Sequence, residues 1–300
     1  MQAAGPFLVV GLGEILWDLF PEGKILGGAP ANFAYHARAL GDQGIPVSRI
    51  GTDALGREIR LRLSELGVPG EQVQTDPARP TGTVQVELDA RGAPTFTITP
   101  EVAWDYLEWN ETLADLAGRT DAVCFGSLAQ RSPQSRRSIR SFLSAVPRRA
   151  LRVFDVNLRQ SWYSEEVLSE SLAASSILKL NESELPVVLR TLGLEEPREP
   201  LQGCRLLRER FGLELVCLTL GEQGSLLVAE GGEQRHAGFR VQVVDTVGSG
   251  DAFTAALCHH RLRVASLERI GQAANRYGAW VASQAGATPL APAEILRAVL

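Results

Sequence analysis

From residue 121 onward, short apolar runs alternate with helix-length segments, and this alternation constrains the fold more than any other feature. The apolar runs read AVCFGSL, LRVFDVN, SSILKL and LELVCLTL, and the segments between them include SPQSRRSIRSFLSAV and ESELPVVLRTL. Apolar runs bounded by turn residues and separated by helices are typical of βαβ units on a parallel sheet covered on both faces. The sequence therefore predicts a doubly wound, mostly parallel α/β fold, whose sites lie beyond the carboxyl ends of the strands.

Two stretches, residues 14–27 and 81–100, do not follow this alternation and resemble short antiparallel strands. The second predicts a hairpin with DARG at its turn, because Val84, Val86 and Leu88 alternate with polar residues before it. An isolated hairpin cannot bury its apolar face. We therefore expect it to pack on the main domain, on a ligand or on another subunit. Residues 193–203 are the most loop-like part of the chain.

Composition excludes several classes of protein. The net charge of −5 leaves no basic face for nucleic acid. The apolar run at the N-terminus is too short for a signal peptide or a membrane span, so the expected location is the cytoplasm. The four cysteines stand far apart without metal-ligand spacing, which favours buried thiols in a reducing compartment. His259 and His260 lack a third ligand nearby, which argues against a metal site there.

The stretch VVDTVGSGDAFTAALCHH, residues 243–260, places three small residues between two apolar runs. We predict a strand over 239–244 and a helix over 251–262. The small residues have two interpretations: a tight turn, or an anion site formed by free N–H groups at the helix N-terminus. An acid at an anion site would repel its ligand. Asp251 would then serve as a base for the group that receives a phosphate.

A second glycine-rich turn, in GGAPANFAYHARALG at 27–41, also leads into a predicted helix. Pro30 and an apolar stripe suit an ordinary core helix. Asn32, however, is a poor helix former in the first turn, where its amide can bind a polyhydroxylated ligand. Asp18 lies in an otherwise apolar strand, so it either faces solvent or binds hydroxyl groups.

Polar residues follow several of the predicted parallel strands. The sequence FDVNLRQSWY at 154–163 contributes Asp155, Asn157 and Arg159, and LKLNESE at 178–184 contributes Lys179, Asn181 and Glu184. LTLGEQGS at 218–225 adds Thr219 and two glycines. Capped junctions would explain each of these alone. The familiar phosphate-binding motifs, including GxxxxGK[ST], are absent, so phosphoryl transfer would need another scaffold.

Taken together, the motifs resemble those of the PfkB-type, ribokinase-like carbohydrate kinases. GGAPANFAYHARALG and DTVGSGDAFTAAL are similar to the two signatures of this family, and KLNESE and LTLGEQG fall between them in the family's order. The resemblance covers nearly the whole chain, and within the family it is strongest to fructokinases and 2-keto-3-deoxygluconate kinases. It implies one kinase domain over residues 1–300, with lid strands near 14–26 and 81–100 above the sugar site.

The resemblance also implies a role for each motif. Asp251 would be the catalytic base. The anion hole for the transferred phosphate would be Gly248, Ser249 and Gly250. The sugar would contact Asp18, Gly28, Asn32, Asn157 and Arg159. The nucleotide would contact Lys179, Asn181, Thr219, Gly221, Gly224 and Asn275. Glu184 would hold Mg²⁺ through water, and Asp245 and Val247 would bind K⁺.

The expected reaction is therefore phosphorylation of a primary hydroxyl of a sugar by ATP with Mg²⁺, with fructose as the first candidate acceptor. 2-Keto-3-deoxygluconate is the second candidate acceptor. A non-catalytic sugar- or nucleotide-binding protein with the same fold is a further alternative, although Asp251 between intact motif residues argues against it. The expected partners are the small-molecule sugar and ATP, with neither nucleic acid nor membrane, and the lid would offer a surface for a homodimer.

Overall fold

The computed structural model describes residues 5–88 and 94–300. Their central feature is a nine-stranded sheet, in which the order of strands is β13-β12-β11-β10-β9-β8-β1-β4-β5. The strands are β1 (Leu8–Leu12), β4 (Gln43–Gly51), β5 (Val73–Asp76), β8 (Ala122–Phe125), β9 (Leu151–Asp155), β10 (Ile177–Asn181), β11 (Leu215–Thr219), β12 (Ser225–Ala229) and β13 (Gly232–His236). All neighbouring strands are parallel except the pairs made by β12, which is antiparallel to both β11 and β13.

Helices cover both faces of this sheet. They are α1 (Ala29–Ala39), α2 (Ala54–Glu65), α3 (Glu111–Arg119), α4 (Pro133–Ala145), α5 (Glu165–Ala173), α6 (Glu184–Thr191), α7 (Pro200–Phe211), α8 (Ser249–Leu262), α9 (Leu267–Ala282) and α10 (Ala293–Val299). One core cluster joins the sheet to α1, α8, α9 and α10, and another joins it to α3–α7. Fully buried side chains such as Phe142 and Tyr277 fill these two layers. Each such burial contributes roughly 1.5–3 kcal/mol of hydrophobic free energy.

The side on which successive strands are added to the sheet changes at β1. From β1 the chain passes through α1 to β4 on one side, and it later returns to place β8 on the other side. In open α/β sheets, ligands bind outside the carboxyl ends of the strands at such a switch point. The residues that follow β1 and β8 are therefore placed at the expected ligand site.

A second, smaller sheet contains four strands in the order β3-β2-β6-β7. They are β2 (Leu16–Phe20), β3 (Gly23–Gly27), β6 (Gly82–Leu88) and β7 (Pro94–Ile98). Strand β2 pairs antiparallel with β3 and parallel with β6, and β6 pairs antiparallel with β7. The predicted DARG turn lies outside the described residues.

The structure confirms the α/β class, the mostly parallel sheet and the small additional sheet. The predicted strand over 239–244 is wrong: these residues form no strand, and Val243 and Val244 are 59% and 61% exposed. Strand β13 ends at His236, and Gly238 turns the chain away with φ of 78°. The N–H groups of Val244 and Asp245 then donate to Ala282 O, at the end of α9, rather than to a neighbouring strand.

Two predicted boundaries also shift. Helix α8 begins at Ser249, two residues before the predicted start, and α7 begins at Pro200 inside the stretch predicted to be a loop. Proline suits the first turn of a helix because N–H groups there have no acceptor within the helix, so nothing is lost when the residue has no N–H. All four cysteines are free and buried. Within residues 5–88 and 94–300, no helix has the length and apolarity that a membrane crossing requires.

Candidate active site

The N-termini of α1 and α8 meet through a direct hydrogen bond. Asn32, in the first turn of α1, donates through Nδ2 to Oδ2 of Asp251, in the first turn of α8, at 2.9 Å. The two residues are 219 positions apart in sequence. Removal from water, and then the charge of nearby Asp155, raise the pKa of Asp251 to about 7. The structure thus brings together the two glycine-rich motifs and leaves a carboxyl that exchanges its proton near neutral pH.

The turn before Asp251 has the geometry of an anion site. Gly248 adopts the left-handed conformation with φ of 78°, and a Cβ there would lie only 2.5 Å from Ala287 O. Among the described residues, no backbone carbonyl accepts from the N–H groups of Gly250 and Asp251, as expected for the first turn of a helix. The N–H of Ser249 does have a partner, Thr246 O, at 3.2 Å. The free donors at this helix terminus are therefore the N–H groups of the two residues that follow Ser249.

A buried ion pair lies beside this turn. Lys179 Nζ donates to Asp155 Oδ1 at 3.0 Å, and the Thr254 hydroxyl donates to Asp155 Oδ2 at 3.1 Å. Burial disfavours the ammonium of Lys179, but the carboxylates of Asp155 and Glu184 outweigh it and raise its pKa. A Cβ on Gly250 would lie 3.1 Å from Lys179 Nζ. The ammonium therefore adds a positive charge next to the turn that precedes Asp251.

Asn181 and Glu184 form a compact capping arrangement at the end of β10. Glu184 accepts from the N–H of Leu158 through Oε1 and from the N–H of Asn181 through Oε2, both at 2.9 Å. Asn181 Oδ1 in turn accepts from the N–H and hydroxyl of Ser183 and from the N–H of Glu184. Burial, and then the charge of Asp155, raise the pKa of Glu184. Each carboxylate oxygen of Glu184 accepts one hydrogen bond from a backbone N–H and retains a further lone pair.

The residues predicted for the nucleotide divide into two groups. Thr219 ends β11, and Gly221 and Gly224 flank the following turn with φ of 56° and 86°. Asn275, by contrast, is buried between α9 and β12, where its Nδ2 donates to Ser225 Oγ and to Gly271 O, each at 2.7 Å. Both hydrogens of the Asn275 amide are therefore used inside the protein.

Asp18 lies on β2 and points across its neighbour β3. A Cβ on Gly27 would collide with the Asp18 carboxylate, so the glycine is required for this close approach. Gly28 is equally constrained, because a Cβ there would collide with Glu14 O, and its φ is 108°. Burial raises the pKa of Asp18 to about 6, against the opposing charge of Arg159.

The loop after β9 connects the main sheet to the small one. Asn157 and Gln160 adopt positive φ values of 43° and 49°. Gln160 donates to Phe96 O on β7 at 2.6 Å. Arg159 is exposed, and its charge partly offsets the rise that burial causes in the pKa values of Asp18 and Asp251. The loop therefore places a guanidinium near both carboxyls.

Asp245 organises a second loop below the anion turn. Its Oδ1 accepts from the N–H of Val247 at 3.0 Å and its Oδ2 accepts from the N–H of Gly286 at 3.2 Å. The side chain thus ties the segment before α8 to the segment after α9. This loop is the site at which the sequence predicts K⁺.

Sequence reasoning missed two buried side chains near this site, Glu14 and Arg131. Glu14 follows β1 and is 5% exposed, and Arg131 ends a short 3₁₀ helix (Leu128–Arg131) that follows β8. Burial raises the pKa of Glu14 to about 7, and the charges of Arg159, Asp251 and Arg131 all act on it. The signal for Glu14 was its place directly after an apolar strand. Arg131 had no signal that separates it from the other arginines.

Comparison with solved structures supports the fold. An uncharacterized sugar kinase of Pyrococcus horikoshii in complex with ATP superposes with a TM-score of 0.80 at 27% identity, covering 98% of this chain and 100% of that one. A double mutant of the fructokinase of Vibrio cholerae O395, with fructose, ADP and potassium ion bound, gives a TM-score of 0.79 at 25% identity, covering 99% and 100%. The fold is that of a ribokinase-like carbohydrate kinase.

Comparison at the sequence level identifies the family. Residues 22–294 match the sequence model of the pfkB family carbohydrate kinases. A fructokinase of Klebsiella pneumoniae is 33% identical over 82% of this chain and 81% of its own length. The chain belongs to the pfkB family of carbohydrate kinases. It is therefore an enzyme that phosphorylates a sugar.

Proposed function

We propose that this kinase transfers the γ-phosphoryl group of ATP to the primary 6-hydroxyl of fructose, forming fructose 6-phosphate and ADP. The observation on which this rests is the bond between Asp251 and Asn32. This bond brings the Asp251 carboxyl to the point where the N-termini of α1 and α8 meet, which supports its role as the proton acceptor. The fructokinase relatives support fructose as the acceptor.

Asp251 acts as the general base in this proposal. The 6-hydroxyl gives its proton to the Asp251 carboxylate while its oxygen bonds to the γ-phosphorus, and the bond to the ADP oxygen breaks. A pKa of about 7 suits a base that works near neutral pH, since about half of the carboxyl groups are then ionised. The hydrogen bond from Asn32 directs the carboxylate and would break or bend when the sugar arrives.

The turn from Gly248 to Asp251 stabilises the charge that develops on the transferred group. The free N–H groups at the start of α8 and the helix dipole both favour negative charge there. Ser249 donates through its hydroxyl to Gly278 O at 2.9 Å and so anchors the turn. Lys179 adds a fixed cation beside Gly250. Donors that are already in place cost no reorganisation at the transition state.

The nucleotide and its metal ion would bind along the ends of β10 and β11. Thr219, Gly221 and Gly224 line the nucleotide side. Glu184 fits a magnesium ion held through water, because each of its buried carboxylate oxygens accepts one backbone hydrogen bond and retains a further lone pair. Mg²⁺ bound to ATP would neutralise phosphate charge. K⁺ at Asp245 and Val247 would order the loop beneath the anion turn.

The sugar would lie between Asp18, Gly28, Asn32 and the loop carrying Asn157 and Arg159. The Asp18 carboxylate can accept hydrogen bonds from neutral hydroxyl groups. It would repel a second carboxylate beside it. This favours fructose. Exposed Arg159 is the feature that favours the second candidate, 2-keto-3-deoxygluconate, because a guanidinium binds a carboxylate through two parallel bonds.

The test is ADP formation from ATP and Mg²⁺ with a panel that contains fructose, other ketoses and aldoses, and 2-keto-3-deoxygluconate. We expect fructose to have the highest kcat/KM. Asp251→Asn should lower kcat by roughly 10²–10⁴-fold while ATP binding is retained. A clear preference for the keto acid, lost in Arg159→Ala, would replace fructose by the second candidate. Sugar binding without any ADP formation would favour a non-catalytic binding protein.

A further inference from the structure

Glu14 and Arg131 lie at the switch point of the sheet but have no part in the phosphoryl transfer described above. Glu14 follows β1 and Arg131 follows β8, and these two strands pair directly, from Val9 with Ala122 to Leu12 with Phe125. The segments that carry the two side chains therefore follow neighbouring strands at the carboxyl edge, where a ligand of this fold binds. A Cβ on Gly13 would lie 3.5 Å from the Ala129 Cβ, so the segments that carry them are in contact.

Arg131 is held rigidly. Its guanidinium lies 4.0 Å from the ring centre of Trp104 and 4.8 Å from that of Trp162. Nε and Nη2 each donate to Asp105 at 2.8 Å, and Nη2 also donates to Thr99 O at 2.6 Å. Asp105 compensates the charge. A guanidinium that is held between two aromatic rings and by a bidentate carboxylate cannot rotate towards another partner.

Each side chain nonetheless contains a buried polar atom that finds no partner. Across residues 5–88 and 94–300, neither Glu14 Oε2 nor Arg131 Nη1 has a hydrogen-bond partner. Leaving a buried polar group unpaired is costly, so such pairs of atoms are uncommon in a folded protein unless a ligand completes them. One atom is an acceptor and the other a donor. The charges of Arg159, Asp251 and Arg131 all act on Glu14.

We propose that Glu14 Oε2 and Arg131 Nη1 together bind one hydroxyl group of the acceptor sugar and select an uncharged sugar over a sugar acid. A hydroxyl donates one hydrogen bond and accepts others, so it can satisfy Glu14 and Arg131 at the same time. A carboxylate can only accept, so it would leave ionised Glu14 without a donor and would be repelled by it. The inference rests on the proposed sugar kinase activity and names a specificity-determining pair for it.

The first experiment compares Glu14→Gln with wild type on fructose and on 2-keto-3-deoxygluconate. Glutamine keeps the shape and removes the charge, so the fold is retained, which a thermal melt verifies. We expect KM for fructose to rise roughly tenfold to a hundredfold, as for the loss of a hydrogen bond to a charged group. KM for ATP should stay within about twofold. The efficiency with the sugar acid relative to fructose should increase.

The matched control is Glu166→Gln, on α5. Its side chain is 60% exposed, and it pairs with Arg136 rather than with Glu14 or Arg131. It should leave both KM values unchanged. A Glu14→Gln enzyme whose KM for fructose equals that of the control would overturn the inference.

The second experiment separates sugar contact from a structural role of Glu14. Fructose analogues that each lack one hydroxyl are assayed with wild type and Glu14→Gln. The penalty of the substitution should vanish for one analogue, the one without the hydroxyl that Glu14 binds, and persist for the others. An equal penalty with every analogue would mean that Glu14 acts only through the structure and would refute the contact. A wild-type enzyme that forms no ADP with any sugar would instead refute the proposed function, and this inference with it.

Discussion

Replacing Asp251 by asparagine should stabilise the ligand-free protein while it removes the catalytic base. The Asp251 carboxyl has a pKa of about 7 in the folded chain, compared with 3.8 as its ordinary value. Below about pH 4 the group is neutral in both states and does not affect stability. As the pH rises from about 4 to 7, the unfolded chain ionises freely while the folded chain must hold a proton or bury a charge, so stability is lost. Asparagine cannot ionise, and its amide can pair with a reoriented Asn32.

The size of this effect follows from the difference between the two pKa values. About three pKa units correspond to on the order of 4 kcal/mol above pH 7, since each unit is worth about 1.4 kcal/mol. At pH 5 the same group destabilises the folded state by less than about 2 kcal/mol. The stabilisation by Asp251→Asn should therefore be about 2–3 kcal/mol greater at pH 8 than at pH 5. For a chain of this length that is a difference of about 5 °C in Tm.

The assay is a thermal melt of both proteins at pH 5 and pH 8 without nucleotide, sugar or divalent metal. The control is Asp115→Asn on α3, whose side chain is 71% exposed, and it should shift Tm equally at both pH values. ADP formation at pH 8 should fall in Asp251→Asn and not in the control. If the Tm increment of Asp251→Asn is the same at pH 5 and pH 8, the carboxyl is not desolvated and the reasoning is refuted.

Three further predictions concern the reaction. The kcat/KM for sugar should increase with pH through about 7 and then level off, because only ionised Asp251 accepts the proton, and a flat profile from about pH 5.5 to 8 would contradict this. Asp18→Ala should raise KM for fructose about tenfold or more and KM for ATP less than about twofold, as steady-state kinetics with each substrate varied will determine. K⁺ should raise the rate above that in tetramethylammonium at equal ionic strength, and Asp245→Ala should remove the difference. Equal rates in the two cations with the wild-type enzyme would exclude the K⁺ site.

Much of the main sheet was predictable because its strands are marked locally. The apolar runs that became β8, β9, β10 and β11 are short, rich in branched residues and bounded by turn residues. Segment 239–244 shows how such a pattern misleads. Its valines alternate as in a strand, but a strand also needs a partner, and Gly238 directs the chain away from β13. An alternating apolar pattern shows that a segment can form a strand. Whether it does so depends on a neighbouring strand that the local sequence does not contain.

The sequence by itself determined the motif residues of the site, since Asn32, Asp251 and Glu184 each follow a recognisable turn or strand. Only the tertiary structure decided which of them meet. The bond between Asn32 and Asp251 spans 219 positions, and the inward placement of the Asn275 amide depends on the packing of α9 against β12. The placement of both Glu14 and Arg131 at the switch point likewise depends on strand order. Burial, charge and hydrogen-bond partners arise from segments brought together in space, so these properties cannot be read from either segment alone.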